Sequence, residues 1–137
     1  MGNNSSIPNI NYEDMQLAIK SSRYIIINTL PSSEQHCLIH KTIPWNKEEL
    51  ILNEKIKLNC REQIIVYGKN WNDQTIVEKY TQCTSLGFSV YIYRGGHFEW
   101  LLLQDIYGSE EFPTFGKEID ILKYKNQSFL TTHFISN

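Results

Sequence analysis

Three thiols, four imidazoles and an N-terminal glycine are the groups in this chain with chemistry to offer. Cys37, Cys60 and Cys83 are widely spaced and form no Cys-x-x-Cys pair, so neither a zinc ribbon nor a dithiol redox motif is encoded. An odd number of thiols without a secretory leader fits reduced cysteines and a cytoplasmic protein. Free cysteines more often pack as small buried hydrophobes than act as nucleophiles. His36-Cys37-x-x-His40 sets ligand-type side chains close together. A metal needs three or four converging ligands, and no partner cluster stands elsewhere, so an ordinary loop is expected, with no metal and no cofactor. His97 follows Gly95-Gly96 as a lone imidazole and reads as structural or exposed.

The first six residues, Met1-Gly2-Asn3-Asn4-Ser5-Ser6, satisfy the pattern Met-Gly-x-x-x-Ser/Thr, which makes Gly2 the acceptor for a myristoyl chain. The plain alternative is a flexible polar arm. One such chain binds membranes only marginally, and Lys20 and Arg23 are too few to supply a second signal. Membrane association through Gly2 is therefore expected to be reversible.

The elements that must position these groups follow from composition and patterning. At 137 residues the chain fits one domain, and its 41% hydrophobic content can fill a core without disulfides. Thirteen basic against fifteen acidic residues leave no cationic excess to neutralise phosphates, so nucleic acid is not an expected partner. The run Trp100-Leu-Leu-Leu103 is broken by Gln104 and Asp105, far short of the ~20 residues that span a bilayer. Abundant Ile, Asn and Lys with a single alanine, Ala18, fits an AT-rich genome such as that of a protist or a large DNA virus.

Residues 1–9 read as an arm, 10–112 as the domain, and 113–137 as a tail docked on it. Asn11 caps a short helix with Glu13 and Asp14 in its first turn and Met15, Leu17, Ala18 and Ile19 on its apolar face. Tyr24–Ile27 is a continuous apolar run of the kind buried on both faces of a parallel sheet, and Gln63–Tyr67 and Phe88–Tyr93 read as the second and third strands. Cys37–Ile39 and Thr42–Pro44 are short extended pieces, and Lys47–Leu52 makes one or two helical turns. A helix over 74–86 stops at Gly87, and a second, over Phe98–Ile106, ends near Gly108. Glu99 and Asp105 flank that second helix and are expected in solvent. In the tail, Ile119, Ile121, Leu122, Phe129, Leu130 and Phe134 are the docking residues, while Lys123-Tyr124-Lys125 reads as solvated. The order of elements predicts an α/β fold, a mostly parallel sheet with helices on both faces.

Three pieces in this order resemble the rhodanese family. In Tyr91-Ile-Tyr-Arg-Gly-Gly-His-Phe-Glu-Trp100, a strand reaches a Gly-Gly turn and a helix opens with Phe98 and Trp100. Strand Ile64–Tyr67, a six-residue loop and a helix form the second piece. The early helix, the Tyr24–Asn28 strand and Ile43-Pro44 form the third. The resemblance covers residues 10–108 and implies a rhodanese-like three-layer fold. It also implies a site. In the family a cysteine at the base of the loop sits in a ring of backbone N–H groups, where the helix dipole stabilises a thiolate or persulfide, and an arginine often closes the loop.

In the loop Gly68, Lys69, Asn70, Trp71, Asn72 and Asp73, the matching positions are Gly68 for the cysteine and Asp73 for the arginine. Asn28-Thr29 stands where the family carries Asp followed by Arg. Without sulfur at the loop base there is no nucleophile and nothing to carry a sulfane sulfur. Asp73 puts a negative charge at the rim, or caps the following helix. Trp71 either plugs the pocket or presents a contact to a partner. The function implied is a non-catalytic binding or structural module in a larger assembly, with protein partners. The alternative is a sulfurtransferase or thiol-redox protein using a displaced thiol, for which Cys37 is the candidate, because the long connection that carries it passes near the site in this fold.

Overall fold

Two alternating sets of apolar side chains on each central strand divide the chain into three layers. The computed structural model describes residues 7–128 and 130. Its strands are β1 (Asn9–Ile10), β2 (Tyr24–Asn28), β3 (Leu38–Ile39), β4 (Thr42–Ile43), β5 (Gln63–Tyr67), β6 (Val90–Tyr93) and β7 (Thr114–Phe115). Five of them form a sheet in the order β1-β6-β5-β2-β4, parallel throughout. Ile26 lies opposite Ile65, and Ile65 opposite Tyr91, so like-facing residues stack across the centre. β3 and β7 form a separate antiparallel pair, with Leu38 opposite Phe115.

The helices are α1 (Tyr12–Ile19), α2 (Trp45–Lys57), α3 (Thr75–Ser85) and α4 (Gly96–Tyr107). Strand side chains alternate between faces, and each set meets its own pair of helices. Ile26, Ile65, Tyr67 and Tyr93 pack with Met15, Ala18 and Ile19 of α1 and Trp100 of α4. Ile25, Ile27, Ile64, Val66 and Ile92 pack with Leu52 of α2 and Ile76 and Cys83 of α3. Each fully buried aliphatic side chain contributes about 1.5–3 kcal/mol, so the two faces hold the sheet from both sides. The fold is α/β with three layers.

Some boundaries differ from those read in the sequence. The expected arm ends earlier: the Pro8 carbonyl accepts the Ile92 N–H at 2.9 Å, and Asn9 already pairs with β6. A polar composition concealed an edge strand held by its backbone. α2 is twice the expected length. Only Leu52 is buried and Ile56 packs beside it, so the apolar signal spans a single turn. Strong helix formers among Glu, Leu and Lys carry the helix on. β6 begins at Val90 rather than Phe88, and β7 was not anticipated. Asn11 caps α1 as the sequence indicates, exchanging hydrogen bonds with Asp14 in both directions. Among the described residues, no helix is long and apolar enough to cross a membrane.

Candidate functional site

The turn between β5 and α3 lies at the carboxyl ends of the central strands, where ligands of open parallel sheets bind. Its first two carbonyls face the start of α4. Gly68 O accepts the His97 N–H at 2.9 Å, and Lys69 O accepts the Phe98 N–H at 2.8 Å. These are N–H groups that the first turn of a helix leaves without partners. The approach requires glycine at position 96. Gly96 has φ +68°, and a β-carbon there would stand 2.8 Å from Gly68 O and 3.0 Å from Asn70 N.

Three amides in and just after the turn are taken by its own side chains. Asp73 Oδ2 accepts the Lys69 N–H at 2.9 Å, and Asp73 Oδ1 accepts the Thr75 N–H at 3.0 Å and the Thr75 hydroxyl at 2.6 Å. Asn70 Oδ1 accepts the Asn72 N–H at 2.9 Å, and the Asn70 carbonyl accepts the Asp73 N–H at 3.1 Å. The half-exposed Asp73 carboxylate is turned back onto its own turn and also caps α3. It lies against Gly68: a β-carbon built there would be 2.5 Å from Asp73 Oδ2 and 2.8 Å from Thr29 Oγ1. Asn28, buried beside Thr29, accepts the Leu30 N–H at 3.0 Å and exchanges hydrogen bonds with Gln35.

Asn70, not Trp71, faces inward. Trp71 is 59% exposed, and its carbonyl accepts from Arg94 at 3.4 Å, so the indole does not plug the pocket. The Asn70 side chain is buried and donates to two successive tail carbonyls, Tyr124 O at 2.8 Å and Lys125 O at 3.2 Å. The segment read as solvated is thus the docked one. Tyr124 is 1% exposed and packs with Leu30, Cys37, Leu38 and Leu101, and its ring meets His97 edge-on with centroids 4.7 Å apart. Lys123 Nζ bridges Glu34 Oε1 at 2.8 Å and Glu118 Oε1 at 2.9 Å. Ile119, Leu122 and Leu130 remain exposed, and Ile121 is half-buried against the same cluster. Tyr124 is the tail's buried aromatic, β7 adds its pairing with β3, and the flanking lysines masked that ring in the sequence. Phe129, Phe134 and the acceptor Gly2 lie outside the described residues.

His97 is fully buried, stacked on Tyr67 at 6.0 Å, with its ring close to the Cys37 backbone. Burial pushes its pKa down to about 4. Glu99, expected in solvent, instead accepts the Tyr93 hydroxyl at 2.6 Å, while Asp105 is exposed. Cys37 is completely buried and burial pushes its thiol pKa up; Cys83 is buried likewise and pushed up to about 11; Cys60 is exposed. A thiol so placed is a poor nucleophile. His36, Cys37 and His40 do not act as a ligand set. His36 pairs with Glu118 at 2.7 Å, Cys37 turns into the core, and His40 is exposed. Glu34, His36 and Glu118 do bring ligand atoms within 4.8 Å of one another, but the Lys123 ammonium already bridges the two carboxylates.

No known family's sequence profile matches this chain, and no curated protein matches it. Its fold does match solved structures. The BH2092 protein from Bacillus halodurans is 18% identical with a TM-score of 0.59, the match covering 93% of this chain and 89% of that one. The Alr3790 protein from Anabaena sp. is 20% identical with a TM-score of 0.54 over the same shares. A protein from Lactobacillus plantarum is 16% identical with a TM-score of 0.56, over 70% of this chain and 83% of its own. At these identities the likeness is one of fold.

Proposed function

We propose that this chain is a non-catalytic member of the rhodanese family that works as a protein-binding module in the cytoplasm. One observation carries the reading: the room beside Gly68, where the family's cysteine would stand, is taken by the Asp73 carboxylate, 2.5 Å from where a β-carbon would be. The amides of Lys69 and Thr75, which would otherwise face an anionic sulfur, already bond that carboxylate. The turn thus holds its own anion in place of a reactive one, and it has lost nucleophile and vacancy together. The rival reading, sulfur transfer through Cys37, is opposed by the complete burial of that thiol and its raised pKa.

The test is thiocyanate formation from thiosulfate and cyanide. The wild-type chain is expected to show only background, unchanged by Cys37→Ser. Turnover that disappears with Cys37→Ser would overturn the proposal. Attachment to membranes through a myristoyl group on Gly2 is a compatible extension, checked by mass spectrometry of the N-terminal peptide from the native host.

A further inference from the structure

The tail is held as a groove holds a peptide. The Asn70 amide donates to the main-chain carbonyls of two successive residues, Tyr124 and Lys125, a contact blind to side-chain identity. Its orientation is fixed, because Asn70 Oδ1 must face the Asn72 N–H. Selectivity lies beside it. A tyrosine ring fills a pocket floored by His97, its hydroxyl lies 3.3 Å from Glu34 Oε1, and the preceding ammonium sits between Glu34 and Glu118. His97 closes the floor of that pocket behind Tyr124. A basin of about 550 Å³ lies beside it, between Lys69, Asn70, Asn72, Asp73 and Gln74 of the loop and Lys125 and Gln127 of the tail, and the exposed Trp71 belongs to the same loop.

We infer that this groove is a peptide-binding site, closed in cis by the chain's own Lys123-Tyr124, and that its partner is a polypeptide presenting a tyrosine directly preceded by lysine or arginine. The inference rests on the binding-module reading and names the face that binds. Charge complementarity specifies the basic residue, the buried ring pocket specifies the aromatic, and Asn70 fixes the backbone. The partner competes with a tethered segment whose effective concentration is about millimolar. The cis tail therefore excludes weak ligands and admits those with further contacts along the basin and Trp71.

The experiment uses the full chain carrying Lys123→Ala and Tyr124→Ala, titrated with a labelled peptide, Ile-Asp-Ile-Leu-Lys-Tyr-Lys-Asn-Gln, matching residues 119–127. Saturable binding is expected, at least about tenfold tighter than to the wild-type chain, whose tail competes. It should also be at least about tenfold tighter than for the same peptide with alanine in place of tyrosine. A variant that is folded by near-ultraviolet circular dichroism yet binds nothing at about 1 mM peptide, or binds both peptides equally, overturns the inference. Where the variant does not fold, hydrogen exchange of the wild-type amides at residues 122–125 is followed with about 1 mM peptide. Faster exchange supports the site and no change overturns it. A wild-type dimer by light scattering whose tails are swapped would give the groove to a second copy and overturn the partner. None of these readouts depends on sulfur transfer: thiocyanate turnover would sink the non-catalytic reading alone, and absent peptide binding this one alone.

Discussion

Replacing Gly68 by cysteine should cost stability, because the new side chain can enter only by displacing the hydrogen-bonded Asp73 carboxylate. Gly68 is not among the residues with positive φ, so a side chain is allowed by the backbone and the obstacle is space. The β-carbon would stand 2.5 Å from Asp73 Oδ2, 2.9 Å from its Cγ and 2.8 Å from Thr29 Oγ1. Overpacking of this kind costs about 1–3 kcal/mol. Relief requires the carboxylate to move, which weakens its bonds to the Lys69 and Thr75 amides. Charge-assisted bonds contribute about 1.5–3 kcal/mol each, and the half-exposed position of Asp73 argues for the lower end. Gly68→Cys should therefore destabilise by about 3 kcal/mol, and Asp73→Ala, which loses the cap but opens the space, by about 1.5 kcal/mol. The double variant should cost about 2.5 kcal/mol, which is about 2 kcal/mol less than the sum. Urea unfolding of the four chains, in a Cys60→Ser background, measures that coupling. Thiol alkylation supplies a second readout. In the single variant the thiol faces a carboxylate and should react slowly. In the double variant the freed amides at the start of α3 favour the thiolate, and alkylation should accelerate. A coupling within about 0.5 kcal/mol of zero would show that Asp73 does not occupy the space beside Gly68.

Two further outcomes follow. In the native state Cys60 should be alkylated first while Cys37 and Cys83 stay protected until the chain unfolds, since both are buried with raised pKa values. Rapid native labelling of Cys37 at neutral pH would reopen the thiol reading. His97 should make stability depend on pH: its folded pKa, about 4, lies below the ordinary 6.5, so the unfolded chain binds the extra proton and stability is full above pH 6.5. It is lost as pH falls toward 4, by about 3 kcal/mol for a buried group shifted this far. Urea midpoints measured across that window should flatten in His97→Phe, and a slope equal to that of wild type would remove His97 as its source.

The sheet was legible in the sequence because burial on both faces leaves a mark that needs no context: Tyr24–Ile27 and Gln63–Tyr67 are runs that only a covered strand tolerates. The α1 cap was legible for the same reason, since Asn11 and Asp14 act within one turn. What escaped was held by backbone or by distant partners. Asn9 and Ile10 join the sheet through main-chain pairing beside Val90–Tyr93, which their side chains do not announce. β7 exists only because Leu38 and Phe115 meet across a long separation in sequence. α2 ran on through residues whose apolar period is broken, so propensity set its length.

The site shows the same division. Gly68 and Asp73 could each be identified as unusual, yet as separate departures they suggested a missing nucleophile and a misplaced charge. Geometry makes them one change, because the carboxylate that would clash with a side chain at Gly68 is the group that bonds the amides a reactive sulfur would need. A substitution at either position should therefore disturb the other. Tyr124 was hidden for the complementary reason. Its lysine neighbours signal solvent, but the Lys123 ammonium pairs with Glu118 five residues back and with the distant Glu34, and the Tyr124 ring lies inward on His97. Local charge predicts exposure only where no opposite charge is brought in by the fold, and here the fold brings Glu34.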